Sequence, residues 1–276
     1  MDLPLGVGLR VPGYDRVDGL SLPFGPRIVF GDERVVIDPT VTYRSNLGKI
    51  DPALTVAGNI TRDSSLAFSV TGSRGTFTNE GWIRDPLTNS LVTFWSGSDS
   101  RNYFRADRAE ARLIGRLPGT LDGVTLFVGG RTERDWSTGW RPGERRGPFS
   151  IINRSDSTDG IDRPNPLITP GHITSAIAGG RAEYTGIRAD AWIGGIIERA
   201  TSGSVTGAFT QATLDTHGGV ETVAAQRIVL NAHLVTTATS GATGVTPTQR
   251  FGYLGGAGTL ATVPTLVAGG DHLWFF

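Results

Sequence analysis

Alternation of apolar and polar residues runs through several long segments, and it constrains the fold more than any other feature of this chain. It is clearest from Arg108 to Leu117, from Ile187 to Glu198 and from Arg227 to Thr236. Successive side chains of a β-strand point to opposite sides, so each segment has one apolar and one polar face. The pattern therefore predicts a sheet whose two faces have unlike surroundings.

Weaker copies of this pattern bring the total to about eleven predicted strands. The weaker segments are Leu20–Phe24, Val35–Arg44, Leu54–Ile60, Leu66–Gly72, Val124–Val128, Ile173–Ile177, Ala208–Leu214 and the C-terminal stretch His272–Phe276. Several could reach the length of about 9–11 residues that a tilted strand needs to cross a bilayer. No segment has a convincing 3.6-residue period, so we expect almost no helix.

The connections between these segments alternate between short and long. Those around Arg62–Ser64, Pro118–Thr120 and Glu183–Thr185 are short, and those covering about 74–107, 132–171 and 237–271 are long. Up-and-down outer-membrane barrels have short turns on one side and long loops on the other. The alternation of lengths favours that architecture.

Composition agrees with a barrel in lipid. Hydrophobic residues make up 38%, which is low for a single large water-soluble core, and no apolar run is long enough for a helical span. A closed sheet pairs every backbone group without an edge, and its interior can stay polar. We therefore predict an all-β, up-and-down antiparallel transmembrane β-barrel over residues 1–276, located in the bacterial outer membrane. Alternation alone also allows a soluble sheet with its polar face in water.

Both ends of the sequence suggest a piece of a longer protein. Met1–Pro4 does not begin a signal peptide, although an exported barrel needs one. His272–Phe276 resembles a strand that is cut short, and the odd strand number departs from the even numbers of single-chain bacterial barrels. We expect an incomplete barrel domain.

Four stretches resemble the BamA-like bacterial surface antigen superfamily. Arg250–Leu260, which reads RFGYLGGAGTL, resembles the LGG-x-GTLRGY signature of these barrels, and Gly269–Phe276 resembles the GGD-x-L-x-x-N strand that follows it. Tyr14–Leu22 resembles the opening YNRVEGL stretch. Asn89–Leu91 with Asp99–Phe104 is similar to an internal NSL…DYRDYY pattern. The matches keep the family's order over nearly the whole chain.

The resemblance implies a barrel that inserts or translocates proteins at the outer membrane. Its partners would be outer-membrane lipid, lipopolysaccharide and unfolded outer-membrane or secreted client proteins. It also implies a loop folded into the lumen, formed here by Leu254, Gly255, Gly256, Gly258, Thr259 and Leu260. In the family an arginine follows this motif and pairs with an acidic group on the inner wall. Here Ala261 follows Leu260, so that arginine is missing, and we do not take Arg250 as its substitute.

No catalytic, cofactor or metal site is predicted. The four histidines lack the spacing of metal ligands, and His233 is expected on a polar strand face inside the barrel. The spacing of Asp156, Asp159 and Asp162 does not fit a calcium loop, so a solvated loop is favoured. The absence of cysteine excludes disulfides, and the zero net charge argues against a nucleic-acid partner.

Aromatic residues tend to lie near predicted strand ends or in long loops. In a barrel they would form interfacial girdles, and in a soluble protein they could stack on sugars. They are Trp82, Trp95, Tyr103, Phe104, Trp136, Trp140, Trp192 and Trp274. Two alternatives to the translocation barrel therefore stay open, namely a passive pore or membrane anchor and a soluble all-β binding or adhesin module.

Overall fold

The chain folds as a mostly antiparallel β-structure. A computed structural model describes residues 3–31, 34–117, 123–138, 163–203, 207–223, 226–240 and 244–276. Strands make up 61% of the structure and helices 9%, so the predicted all-β antiparallel class is confirmed. None of the helices within these ranges has the length and apolar character needed to cross a membrane.

Fifteen strands lie within the described residues, and thirteen of them form one large sheet. Their bounds are β1 Gly13–Asp15, β2 Gly19–Phe24, β3 Ile28–Phe30, β4 Val35–Arg44, β5 Lys49–Asn59, β6 Leu66–Phe77, β7 Phe104–Leu117, β8 Gly123–Trp136, β9 Gly171–Thr185, β10 Ala189–Gly203, β11 Ala208–Glu221, β12 Arg227–Ser240, β13 Gly252–Leu254, β14 Ala268–Gly270 and β15 His272–Phe275. All eleven predicted segments fall largely on strands, but the predicted number is too low. The missed strands β1, β3, β13 and β14 are too short to show a period.

The large sheet follows chain order from β1 through β2 and β4–β12 to β15, and β3 pairs with β4 beside this path. Central strands pair over nearly their whole length, as β11 and β12 do from Ala208–Ser240 to Glu221–Arg227. The edge strands are short, since β15 pairs with β12 only from His233 to Thr236. No pair among the described residues joins β1 to β15. Strands β13 and β14 form a separate antiparallel pair.

The two ends of the sheet carry connections of different lengths. At the short-turn end, residues 60–65, 186–188 and 222–226 link successive strands. At the long-loop end, residues 78–103 separate β6 from β7, but residues 45–48 form only a short turn between β4 and β5. The predicted regular alternation of long and short connections is therefore wrong in detail. Pro118–Thr120 lies outside the described residues.

One predicted turn is displaced by a few residues. Glu183–Thr185, which was predicted to be a turn, ends strand β9, and Ile187, which was predicted to begin a strand, lies in the following turn and is 99% exposed. The backbone N–H of Gly186 donates to the carbonyl of Ala189 at 2.7 Å and closes this hairpin. Tyr184 and Thr185 favour strands, whereas glycine favours turns, which explains the shift.

One α-helix contradicts the prediction of almost no helix. Helix α1, Pro86–Ser96, lies in the connection between β6 and β7. Asp85 caps it by accepting a hydrogen bond from the backbone N–H of Thr88 at 2.9 Å, and proline at its first position loses no helical hydrogen bond. Gly97 ends the helix in the left-handed region at φ 69°. The residues that end the helix are visible in the sequence, but a helix of three turns is too short to show a hydrophobic period.

The two faces of the large sheet differ as the alternation predicts. The apolar face carries Val128, Ile193 and Leu230, which are 57%, 49% and 65% exposed. The polar face carries Glu133 and Glu198, which are 1% and 5% exposed. Soluble proteins bury apolar groups and expose charges, so this distribution is the reverse of theirs.

Among the described residues, two small clusters of buried apolar side chains lie above the polar face at the long-loop end. Their buried members are Phe104, Ala106 and Ile168 in one cluster and Ile173, Ala200 and Phe209 in the other. Many of the remaining buried side chains are charged or polar. The space over the polar face is therefore filled largely by ion pairs and hydrogen bonds.

Candidate functional site

A buried arginine bridges two strands of the polar face. Arg250 ends the short 3-10 helix Thr248–Arg250 in the connection between β12 and β13, and it is 4% exposed. Its Nε donates to Oε2 of Glu198 at 2.9 Å, and its Nη2 donates to Oε1 of Glu198 at 3.1 Å. The same Nη2 also donates to Glu133. One guanidinium thus links β8 and β10.

Strand alternation places both carboxylates on the polar face. Glu133 on β8 and Glu198 on β10 are separated by β9, on which they lie opposite Ile173 and Ile177 respectively. Ser175 of β9 donates to Oε1 of Glu198 at 2.8 Å and orients that carboxylate from below. The guanidinium of Arg250 fills the gap between the two glutamates.

Hydrogen bonds donated by side-chain amides fix the segment that carries Arg250. Nε2 of Gln211 on β11 donates to the backbone carbonyl of Arg250 at 2.6 Å. Nε2 of Gln249 donates to Oδ2 of Asp135 on β8 at 3.0 Å. Asn79, which follows β6, donates to the carbonyl of Gln249. The connection is therefore anchored to several strands at once.

Further charges of alternating sign surround the two glutamates. Nε of Arg108 donates to Oε2 of Glu133 at 2.8 Å, and Nε of Arg131 donates to Oε2 of Glu110 at 2.7 Å. Burial opposes the charge on Arg250, but Glu198 and Glu133 more than offset this and raise its pKa above the ordinary value. The arginine therefore stays charged beside its two carboxylates.

The connection between β6 and β7 reaches β12 and β15 across the polar face. Trp82 stacks on the ring of His233 with a centroid distance of 4.1 Å and an interplanar angle of 9°, and it contacts Phe275 at 5.5 Å. Nδ1 of His233 is 2.6 Å from Oδ1 of Asp215 on β11. His233 is 4% exposed, so its predicted place on the polar face is confirmed.

Several aromatic residues do not lie where interfacial girdles would require. Trp192 is on the polar face and stacks on His217 at a centroid distance of 6.2 Å, and Tyr103 is 6% exposed. Together with Trp82, these residues contradict the girdle interpretation, because strand parity and loop packing turn them toward the polar face. Trp95 and Trp274 are 71% and 69% exposed and remain compatible with it.

The glycine motif forms a compact turn after β13. Its residues are Leu254, which ends β13, and then Gly255, Gly256, Gly258, Thr259 and Leu260. The N–H of Gly255 donates to Oγ1 of Thr259 at 2.9 Å, and the N–H of Gly256 donates to the carbonyl of Leu260 at 3.0 Å. The motif thus closes on itself.

All three of these glycines have conformations that L-residues avoid. Gly255 has φ 128°, Gly256 has φ 81° and Gly258 has φ 103°. A Cβ on Gly258 would lie 2.9 Å from Cγ2 of Ile83, so the turn packs closely against the connection between β6 and β7. The motif therefore supports that connection above the polar face.

Arg250 makes the arginine–carboxylate contact over the polar face, although we did not take it as a substitute for the missing arginine. Arg250 lies four positions before Leu254, whereas the family's arginine follows the motif. Arg250 nevertheless meets both Glu133 and Glu198 on the polar face. The sequence signal for this contact is the presence of glutamates on the polar faces of β8 and β10, since buried carboxylates need a cation nearby.

The space over the polar face is open toward the short turns. A cavity of about 1040 Å³ is lined there by Arg116, Phe127, Arg181, Trp192 and Asp215, among others. A smaller cavity of about 220 Å³ lies beside Arg250 and His233.

Two predictions concern residues outside the described ranges. They are Trp140 and the aspartates Asp156, Asp159 and Asp162. In the ranges that the structure describes, no group of three or more His, Asp or Glu side chains is placed to hold a metal ion. No protein-family model and no curated protein matches the chain, so a functional assignment must rest on the geometry of the two faces and of Arg250.

Proposed function

We propose that this chain is the barrel domain of a BamA-like protein that inserts or translocates proteins at the bacterial outer membrane. In this proposal the large sheet closes around its polar face, and the apolar face contacts lipid. The connection that carries Arg250 lies in the lumen. Client proteins are unfolded outer-membrane or secreted chains.

The inverted distribution of side chains is the observation that carries the membrane assignment. Leu126, Ile197 and Leu230 on the apolar face are 50%, 55% and 65% exposed, and they belong to one continuous sheet. Soluble monomers rarely expose contiguous apolar patches larger than a few hundred Å². Lipid would satisfy this face, while Glu133 and Glu198 stay paired on the other.

The contact of Arg250 with Glu133 and Glu198 supports a protein-insertion machine rather than a passive membrane anchor. It matches the arginine–acid contact that the resemblance implies, although the arginine precedes the glycine motif. In this proposal the edges that open are those of β1 and β15, which no strand pair joins among the described residues. Opening between those edges is the step that would admit a client.

Heat modifiability tests the barrel. We expect the protein, after extraction from outer membranes in mild detergent, to migrate faster on a gel before boiling than after it, because a closed sheet resists detergent until heated. A water-soluble monomer without a mobility shift would reject the barrel and favour the all-β binding or adhesin module.

A second experiment tests insertion itself. The Arg250→Ala variant should reduce the amount of folded client barrels in cells, while Arg227→Gln, a matched change in an exposed ion pair, should leave it unchanged. Cells that carry Arg250→Ala with normal protein level and normal client folding would contradict the insertion role. The amount of the variant in the outer membrane is measured alongside.

The cavity of about 1040 Å³ favours a second candidate, a passive pore. Planar-bilayer conductance separates the two. A steady ohmic current that persists in Arg250→Ala and in the unaltered protein would favour the pore. A closed channel that opens only when Arg250 is removed would favour the machine, because the Arg250 segment fills the long-loop end.

A further inference from the structure

Four charged or ionisable side chains form one row across β6, β7, β8 and β9. Arg74 lies opposite Asp107, Asp107 lies opposite Arg134, and Arg134 lies opposite His172. Their parity places all four on the apolar face, at its long-loop end. We call Arg74, Asp107, Arg134 and His172 the basic row.

The basic row is accessible and carries more positive than negative charge. Nε and Nη2 of Arg74 donate to the two oxygens of Asp107 at 2.5 and 2.8 Å, yet the two side chains are 53% and 39% exposed. Arg134 is exposed as well. Nε2 of His172 lies 3.0 Å from the hydroxyl of Thr132. Two guanidiniums therefore face one carboxylate.

The apolar face changes character step by step below the row. Along β8 the same face presents Arg134, then Thr132, Gly130 and Val128. Val128 lies six positions from Arg134 along β8, which is about 20 Å of strand. Charges, hydroxyls and aliphatic groups thus follow in the order in which headgroup, interface and hydrocarbon occur in a lipid leaflet.

The opposite end of the apolar face is different. Its last strand residues on β11 and β12 are Val220 and Ile228, which are 45% and 64% exposed. The charged row is therefore a local feature of β6–β9 at the long-loop end. A general requirement of strand ends would have produced similar charges at both ends.

We propose that the basic row binds the phosphate of an anionic glycolipid headgroup in the leaflet at the long-loop end. This inference rests on the proposed membrane function. Guanidinium forks match phosphate oxygens in pairs, and the backbones of Arg74 and Arg134 stand about 10 Å apart, so a phosphorylated sugar headgroup spans them above Asp107. The ring of Trp136, 6.0 Å from the guanidinium of Arg74, suits the interfacial level.

Native mass spectrometry of the whole chain in neutral detergent tests the inference. Lipid A is the probe, and dephosphorylated lipid A and inorganic phosphate are the comparison probes. We expect the unaltered protein to retain lipid A, and the Arg74→Gln/Arg134→Gln double variant to bind it on the order of tenfold more weakly. Asp107→Asn should bind it more tightly, because the competing carboxylate is gone.

Arg227→Gln is the matched control. Arg227 is 48% exposed and pairs with Asp190, which is 38% exposed, but both lie on the polar face at the short-turn end. This variant should bind lipid A as the unaltered protein does. Heat modifiability of each variant confirms that it is folded, and Asp107→Asn keeps the test decisive if the double variant does not fold.

Three results would overturn the inference. Equal retention of lipid A by the double variant would show that the row does not bind it. Equal retention of dephosphorylated lipid A would exclude the phosphate. Full competition by inorganic phosphate would point to a free anion.

Heat modifiability separates failure of this inference from failure of the proposed function. If the unaltered protein is heat-modifiable but does not bind lipid A, only this inference is lost. If the unaltered protein is not heat-modifiable, the proposed function itself is rejected.

Discussion

Two ion pairs on the same polar face have the same chemistry and opposite surroundings. At the long-loop end Arg250 and Glu198 have side chains that are 4% and 6% exposed. At the short-turn end Arg227 and Asp190 have side chains that are 48% and 38% exposed. The first pair ties a connection to the sheet, and the second lies beside the short turns that join successive strands.

The difference shows that burial, and not the presence of an ion pair, decides what such a pair does. A charge that loses its partner in a buried site keeps its full desolvation cost, so the site depends on every member. An exposed pair returns to water at little cost and is screened by salt. The long-loop end is therefore predicted to be the rigid end of the sheet.

The largest expected effect comes from removing the buried arginine. Arg250→Ala leaves Glu133 and Glu198 without their shared cation and should lower the free energy of unfolding by about 3–5 kcal/mol. Urea unfolding in detergent, followed by tryptophan fluorescence, measures it. A loss below about 1 kcal/mol would mean that the buried and exposed pairs are equivalent and would break the comparison.

A smaller effect is expected from the stacked tryptophan. Trp82→Ala removes the contacts with His233 and Phe275 and should cost about 3 kcal/mol. Trp192→Ala, at the open end, is the matched variant and should cost about 1 kcal/mol, because its stacking on His217 is looser. Equal losses in the two variants would argue against a rigid long-loop end.

Two glycines with similar backbone conformations sharpen the same point. Gly256→Ala forces a Cβ against Thr265 at φ 81° and should cost about 2 kcal/mol, whereas Gly48→Ala at φ 58° meets open space and should cost about 1 kcal/mol. Unfolding midpoints of the two variants give the comparison. A larger loss of stability in Gly48→Ala than in Gly256→Ala would show that close packing around the glycine motif does not add to the cost of the substitution.

The smallest effect is expected at the exposed pair. Asp190→Ala should change the free energy of unfolding by less than about 1 kcal/mol, and the change should shrink further in high salt. Unfolding at low and high ionic strength tests both statements. A large loss that salt does not reduce would show that the short-turn end is as tightly built as the other end.

Local patterns account for much of what the sequence predicted correctly. Period-2 alternation located the long strands and the polar side of His233, because side-chain direction along a strand depends only on parity. Helix α1 was missed although Asp85 and Gly97 mark its ends, since a short helix has too few turns to show a period. The displaced turn at Gly186 reflects strand preference in Tyr184 and Thr185.

The candidate site was harder to predict than the strands. The glycine motif was identified from its letters, and Gly256 and Gly258 adopt the backbone angles that favour glycine. The contact of Arg250 with the polar-face glutamates was not identified, because an arginine was expected only after the glycine motif. Arg250 is 52 residues from Glu198 and 117 residues from Glu133 along the chain, so local spacing carries no information on that contact.

The sequence by itself determined which residues alternate, and hence that the sheet has one face of aliphatic groups and one of charges. Only the tertiary structure decided which charges meet. Strand order puts β8 and β10 on either side of β9, where Glu133 lies opposite Ile173 and Glu198 lies opposite Ile177, and the connection after β12 brings in Arg250. Partners so distant in sequence are selected by the geometry of the whole sheet, because the energy of a buried ion pair depends on surroundings that no local segment contains.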